Sequence, residues 1–548
     1  MIDEIKIRLI QIKAVSLYPK QNIMKNIVLT GLSLGVAGAG ILQAAPPAKR
    51  PNILYIMSDD HGYQAVSAYG YGLNQTPNID RIAREGIRFN YCFVTNSLSG
   101  PSRACMLTGK FSHKNGFYDN DAKTTFDGSQ QTLPKLLQAA GYHTGIVGKW
   151  HLKSTPTGFD SYSVHYDQGE YYNPDFMETG EKRVHYEGYA TDLTANNAIK
   201  FLKSCDKEKP FFLMMHFKAP HRNWMPALNK LSMYEDVTFP IPSNFYDNYE
   251  GRIAAQQQLM SVAKDMLIGE DLKTYGSWDT TIPPEFKRMT KEQKAAWDKV
   301  YDPIIEDFSN KHLQGKDLVE WKFQRYMRDY LKCVSSVDDN IGRVLDYLKQ
   351  MGELDNTIII YTSDQGFYLG EHGWFDKRFM YEESLRTPFV IRYPHAIQSG
   401  KVTNAMIQNI DFAPTLLDLA GLPVPRDMQG ESFKNVLTGK KQTAKDAIYY
   451  HYYEYPRPHG VKKHYGVRTD RYKLIRFYND IDEWEFFDLK NDPNEMHNLM
   501  NDPKQAANIK ALKKKLTELQ VKYDDSDPTS DAYVKKQLDF WKEYTSGK

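Results

Sequence analysis

An acidic pair, an acid–amide pair and a scatter of cations carry the chemistry a reader can find in this chain. Asp59 and Asp60 are adjacent, and Asp364 is followed by Gln365. Neighbouring carboxylates repel, so burying them together is unfavourable unless a cation neutralises them. Three carboxylates and an amide oxygen form an all-oxygen donor set, which suits calcium or magnesium better than zinc. Two unrelated strand-to-loop caps would leave the same letters. Around these acids stand Arg103, Lys149, His151, His221, Lys377 and Arg378. Arginine, lysine and histidine gathered near a metal fit a tetrahedral oxyanion. Taken singly, each reads as a solvated charge or a satisfied histidine. In an extended segment Lys149 and His151, two apart, face the same way. Ser99, in "SLSGPSRACMLTG", precedes a helical pattern and reads as a helix cap or as a reactive centre.

Most of these residues stand where an apolar run ends. "NILYIMSDDHG", "GYHTGIVGKWHL", "KPFFLMMHFKAPH" and "TIIIYTSDQG" each read as a buried strand tipped by polar groups. "TPNIDRIAREG" and "TLPKLLQAAG" read as helices closed by glycine. Strands alternating with helices predict an α/β sheet with both faces covered. Ligands gather at the carboxyl ends of such strands. Residues 225–330 break the pattern and read as a polar, helical insertion bordering the site. After Gly439, "AIYYHYYEY", "HYGVRTDRYKLIRFY" and "WEFFDLKNDPNEMHNL" read as antiparallel strands, and "AANIKALKKKLTELQVKY" as a helix with a solvated basic face. The expected layout is residues 1–45 as an N-terminal extension and signal peptide, 46–440 as the main domain, and 441–548 as a smaller α+β subdomain.

In order along the chain, these motifs resemble the type I, formylglycine-dependent sulfatases. The first signature matches at Ser99, Pro101, Ser102, Arg103, Leu107, Thr108 and Gly109, and "GYHTGIVGKWHL" matches the second. "NILYIMSDDHG", "KAPH", "SDQG" and "DKRFMYEESLRTP" match further motifs, so the resemblance spans roughly residues 51–422. It implies an alkaline-phosphatase-like fold with a large, mostly parallel sheet and a C-terminal α+β subdomain on an antiparallel sheet. It also implies that Ser99 is oxidised to Cα-formylglycine (3-oxoalanine), whose hydrate is the nucleophile. One Ca2+ would be held by Asp59, Asp60, Asp364, Gln365 and residue 99. Arg103, Lys149 and Lys377 would position the diol and balance sulfate charge. His151 would assist proton transfer, and His221, with Lys377 or His372, would protonate the leaving oxygen. His372, Arg378, Arg457, His459 and His464 are candidates for contacting the sugar.

Two positions depart from the common pattern. Serine stands at 99 where many relatives have cysteine, which implies a maturase competent on serine. Gln365 stands where many have asparagine, and still offers an amide oxygen. The segment "DKRFMYEESLRTPFVIRYP" looks closest to bacterial N-acetylglucosamine-6-sulfatases. The implied activity is exo-acting removal of a 6-O-sulfate from N-acetylglucosamine in heparan, keratan or mucin glycans. Galactose 6-sulfate or a 2-O-sulfated uronate is the alternative substrate. A two-zinc phosphoester hydrolase of the same superfamily, or an unmodified glycan-binding pseudoenzyme, is the alternative function.

Composition bounds the rest. The 548 residues carry a net charge of +2, too balanced to predict binding to nucleic acid by bulk charge. The four cysteines, Cys92, Cys105, Cys205 and Cys333, have no close pairing and are expected as free thiols. Lys25, the apolar run Ile27–Leu42 and the small residues Ala44 and Ala45 read as a secretory signal starting at Met24. The run is shorter than the roughly 20 residues of a membrane span. The expected location is periplasmic or secreted. Asp338 and Asp339, on a helical pattern, are expected as cap or surface residues rather than a metal pair.

Overall fold

The computed structural model describes residues 50–121, 124–456, 458–478, 480–529 and 532–546. The expected signal segment and Arg457 lie outside the described residues. Ten strands form the main sheet: β1 (Asn52–Ser58), β2 (Ile87–Phe93), β3 (His143–Gly148), β4 (Ser161–His165), β5 (Asp175–Glu178), β6 (Lys182–His185), β7 (Phe211–His216), β8 (Thr357–Ser363), β9 (Arg386–Arg392) and β10 (Lys401–Gln408). Their order is β10-β2-β9-β8-β1-β7-β3-β4-β5-β6. The five central strands, β8-β1-β7-β3-β4, are all parallel. β9 runs antiparallel to both its neighbours, and β5 and β6 continue antiparallel at the other edge.

β1 explains why the central strands read as unbroken apolar runs. Leu54 and Ile56 enter a core with the long helix Gly315–Gln350 and the helix Ala190–Ser204. Ile53, Tyr55 and Met57 enter a second core with the helices Ser99–Thr108, Leu133–Ala139 and Phe412–Leu419. Alternate side chains thus bury on opposite faces, and neither face tolerates polar residues.

The insertion differs from its expected helical character. Only the short helix Ile253–Gln256 and two 3-10 turns interrupt residues 225–290. Regular helix begins at Lys291–Lys311, capped by Thr290 and Gln293, and the following helix continues to Gln350. Polar residues without a 3.6-residue apolar period give a helix no face to bury. Asp338 caps another element: its carboxylate accepts from the amides of Asn78 (3.1 Å) and Ile79 (2.9 Å) at the start of the helix Pro77–Arg84. Asp339 is on the surface beside Lys230, 2.6 Å away.

A second sheet follows, with β11 (Ala447–Tyr452), β12 (His464–Thr469), β13 (Tyr472–Phe477) and β14 (Glu483–Asp488) antiparallel in sequence order. The helix Ala506–Lys522 covers one face through Ile509, Leu512 and Leu516. The other face packs on Trp374, Phe379 and Tyr381, so the expected boundary near residue 440 divides one shared core. The described residues form one compact unit. All four cysteines are free thiols. No helix among the described residues is long and apolar enough to cross a membrane.

Candidate active site

The parallel strands deliver the acids. β1 ends at Ser58 and β8 at Ser363, paired in register, so Asp59-Asp60 and Asp364-Gln365 leave the sheet side by side. The amides of Asp60 and Gln365 both donate to Asp364 Oδ1 at 3.1 Å. Asp59, Asp60, Asp364 and Gln365 have no exposed surface. The chain bends sharply here: Asp60, His151, Asp376 and Arg378 all have positive φ, at 64°, 56°, 78° and 96°. Non-glycine residues held in that region cluster where function requires a special geometry.

Ser99 is the first residue of the helix Ser99–Thr108, which follows Leu98 and stops at Gly109. Its hydroxyl does not cap the helix. It donates to Asp59 Oδ1 at 2.9 Å and is almost completely buried. Arg103, one turn further, donates through Nε and Nη2 to Asp364 Oδ2 at 3.1 and 2.9 Å, and lies 3.6 Å from Asp59. One helix therefore places Ser99 on one acid and clamps another.

Lys149 pairs with Asp59, and Lys377 contacts both oxygens of Asp60 at 2.7 and 2.8 Å. His221 Nε2 lies 3.8 Å from Asp60 Oδ2. Lys149 and His151 do converge, but not by strand alternation. β3 ends at Gly148, where a β-carbon would collide with the His216 carbonyl, and His151 is left-handed. Burial, then the nearby lysines, hold His151 and His221 well below the ordinary histidine value. Burial pushes the Asp60 carboxyl up to about 6 against the pull of Lys377.

The donor set fits a hard cation. Asp59, Asp60 and His221 each bring a ligand atom within 4.8 Å of the others. Gln365 donates its amide nitrogen to Asp60, while its buried Oε1 has no hydrogen-bond partner. An unsatisfied buried acceptor is costly in isolation and is what an oxygen-seeking cation would use. Asp364 is already engaged through both oxygens, but a carboxylate retains further lone pairs.

Gln168 was not anticipated. It follows β4 in a loop, and its Oε1 accepts from Lys149 Nζ at 2.6 Å. That contact orients the amide so that Nε2 donates to His151 Nε2 at 3.0 Å, leaving the imidazole proton on Nδ1. No motif marks a lone glutamine in a loop. Gln168→Ala is expected to lower kcat/KM by about 10–100-fold, the scale for a lost orienting partner, without loss of folding by circular dichroism.

The expected sugar contacts divide. Arg378 pairs with Asp376 and with Glu454 (3.2 Å), and His459 Nε2 lies 3.3 Å from Asp376 Oδ2. His459 also donates to Leu259 O of the insertion at 2.8 Å, so the insertion borders the loop carrying Lys377. His372 and His464 depart from the expectation. His372 is fully buried, bonded to Asp247 at 2.6 Å and packed on Trp374. His464 is fully buried between Tyr450 and Phe477, bonded to Lys462 O and the Met380 amide. Both are core histidines with no face toward a ligand. His451 is likewise buried, between Asp525 and Tyr478.

A family model described as "Sulfatase" matches residues 51–422. The chain belongs to the sulfatase family. A model described as "N-sulphoglucosamine sulphohydrolase, C-terminal" matches residues 370–522 of this sulfatase. An N-acetylglucosamine-6-O-sulfatase of Bacteroides thetaiotaomicron is 53% identical over 524 residues, covering 92% of this chain and 93% of the relative. A protein solved in complex with its substrate D-glucosamine-2-N,6-O-disulfate is 54% identical, with a TM-score of 0.86 over 88% of this chain and 100% of the other. A phosphonate monoester hydrolase of Silicibacter pomeroyi, 20% identical with a TM-score of 0.65 over 88% of this chain and 97% of the other, shares the fold alone. The sulfatase is a sulfuric ester hydrolase on the alkaline-phosphatase-like fold, and calcium and formylglycine are typical of its family.

Proposed function

We propose that this sulfatase removes the 6-O-sulfate of N-acetylglucosamine-type sugars from host glycans, acting at a chain end. The observation that carries the mechanism is Ser99 Oγ bonded to Asp59 inside a buried group of three acids and three cations. The substrate rests on the 53% identical relative and on the disulfated glucosamine held by the 54% identical neighbour. A maturase competent on serine would oxidise Ser99, and the hydrate of the resulting formylglycine would supply one hydroxyl for attack at sulfur and one for release of sulfate. Asp59, Asp60, Asp364 and Gln365, with an oxygen of residue 99, would hold calcium, which would supply positive charge beside the sulfate.

The chain's own groups do the rest. Arg103 holds Asp364 in place and adds its charge beside Asp59. Lys149 and Lys377 balance the acids and the incoming sulfate. His151, oriented by Gln168, assists proton transfer at residue 99. His221 and Lys377 both stand beside Asp60 and together protonate the leaving sugar oxygen. Arg378 and His459, bridged by Asp376, face the sugar. The enzyme works in the periplasm or outside the cell, as its sulfated polymers require.

A panel of sulfated mono- and disaccharides, assayed with matured enzyme, tests the substrate. Preference for a galactose 6-sulfate or a 2-O-sulfated uronate would overturn it. Two zinc ions per chain by metal analysis would overturn the reaction class. His221→Ala should slow sugar sulfates by about 10²–10⁴-fold, the span of general acid catalysis. It should slow an activated aryl sulfate far less, because that leaving group needs no proton.

A further inference from the structure

A cavity of about 730 Å³ opens where the main sheet meets the C-terminal sheet. That volume lies within the usual range for small-ligand sites, which favour such junctions. Its walls draw on the turn after Asp60 (Tyr63, Gln64, Tyr71), the helix Glu382–Leu385 with Arg386 at the start of β9, and the β12–β13 turn. None of the proposed catalytic residues lines it.

Three lining side chains carry unmet hydrogen-bonding capacity. Gln64 and Glu383, 2% and 5% exposed, leave Oε1 and Oε2 without partners, and Arg386 leaves Nε without one. The rest of Gln64 is fixed, because its Nε2 donates to Glu371 Oε1 at 3.0 Å. Arg386 is also held, with its guanidinium 4.0 Å above the Tyr63 ring. An amide oxygen, a guanidinium N–H and a carboxyl that burial and then nearby Glu371 push well up, able to donate or accept, match the hydroxyl, which donates and accepts at once. Tyr71 meets Tyr63 edge-on at 5.6 Å and is 50% exposed, so its ring is a platform at the cavity. An exposed aromatic face beside fixed polar groups suits a ligand with an apolar face and a polar rim.

Charge narrows the class further. Glu371, Glu382, Glu383 and Asp470 are set against Arg386, Arg468, Arg471 and Lys490. Glu382 is matched by Arg468 at 3.1 Å and Arg471 by Asp488 at 2.8 Å, and the four lining acids balance the four bases, so the lining has no net positive charge to favour a sulfate. We propose that this cavity is a second, non-catalytic site for an uncharged pyranose sugar of one or two units. Gln64, Glu383 and Arg386 take its hydroxyls and Tyr71 takes its face. The site binds unsulfated sugar, whereas the catalytic centre requires the sulfate.

The test uses the full-length enzyme and an unsulfated N-acetylglucosamine disaccharide as probe, followed by saturation-transfer NMR and calorimetry. Tyr71→Ala should weaken binding by about fivefold or more, the scale of a lost ring-stacking contact. Tyr71→Phe should restore it. Glu383→Gln, which keeps the shape, should also weaken it. Turnover of a 6-sulfated monosaccharide should stay unchanged in Tyr71→Ala. Absence of saturable binding, or binding that survives Tyr71→Ala, would overturn the proposal. Tyr71 is exposed, so its variant remains folded even where the buried Glu383 change does not.

Discussion

Replacing Ser99 with alanine is expected to reduce turnover on the order of 10³-fold or more, the loss that follows removal of a catalytic nucleophile. The fold should survive. Ser99 gives one hydroxyl contact, to Asp59, and no helix-capping bond. Asp59 keeps Lys149 and Arg103 as partners after the change. Thermal unfolding of the variant should therefore fall within a few degrees of the parent. The same experiment separates catalyst from precursor. The peptide containing residue 99, from protein made in a maturing host, should lack two hydrogens relative to serine. Active protein with an intact serine would overturn the proposed mechanism, and inactive protein with an intact serine would mark the unmodified glycan binder.

Asp364→Ala should do more than inactivate. Its carboxylate meets two nitrogens of Arg103 and two backbone amides, all with no exposed surface or nearly none. Arg103 and the neighbouring lysines hold the Asp364 carboxyl below its usual value despite burial. Removing the acid leaves the buried guanidinium with only Asp59, at 3.6 Å, for a charge partner and releases the amides of Asp60 and Gln365. Breaking one side of a buried pair costs about 3–5 kcal/mol. The midpoint of denaturant unfolding should fall accordingly, with the slope unchanged. The surface pair Lys114–Asp524 provides the contrast: its side chains are 42% and 73% exposed, and Lys114→Ala should move the unfolding midpoint far less. Equal losses at the two sites would mean that Asp364 is not tied into the core.

Much of the site was legible because parallel strands advertise themselves. An apolar run that stops at charged residues can be read without knowing its neighbours, and Asp59, Asp364 and Lys149 stand at three such ends. Order within the sheet was less legible, since strand pairing depends on contacts hundreds of residues apart. The His151 argument reached the right place for the wrong reason, because a left-handed turn, not strand pleat, directs the ring. His372 and His464 looked like ligand contacts because a core histidine carries no local mark. Asp247, which holds His372, lies 125 residues away. Gln168 carried no signal at all, since its importance lies only in the two side chains it bridges.

The pairing of β1 has a cost in time. β1 lies between β7 and β8, and the Asp60 amide reaches Asp364 across 304 residues. At ribosomal rates of about 5–20 residues per second, that interval lasts about 15–60 seconds. Until then the apolar run Ile53–Met57 lacks one strand partner and both of its finished covers. Long-range parallel pairing is slow to form and exposed to aggregation meanwhile. A nascent chain stopped before Thr357 would carry Ser99, Lys149 and His221, yet have no β8 on which to assemble them. Such truncated chains should need a holding chaperone to stay soluble.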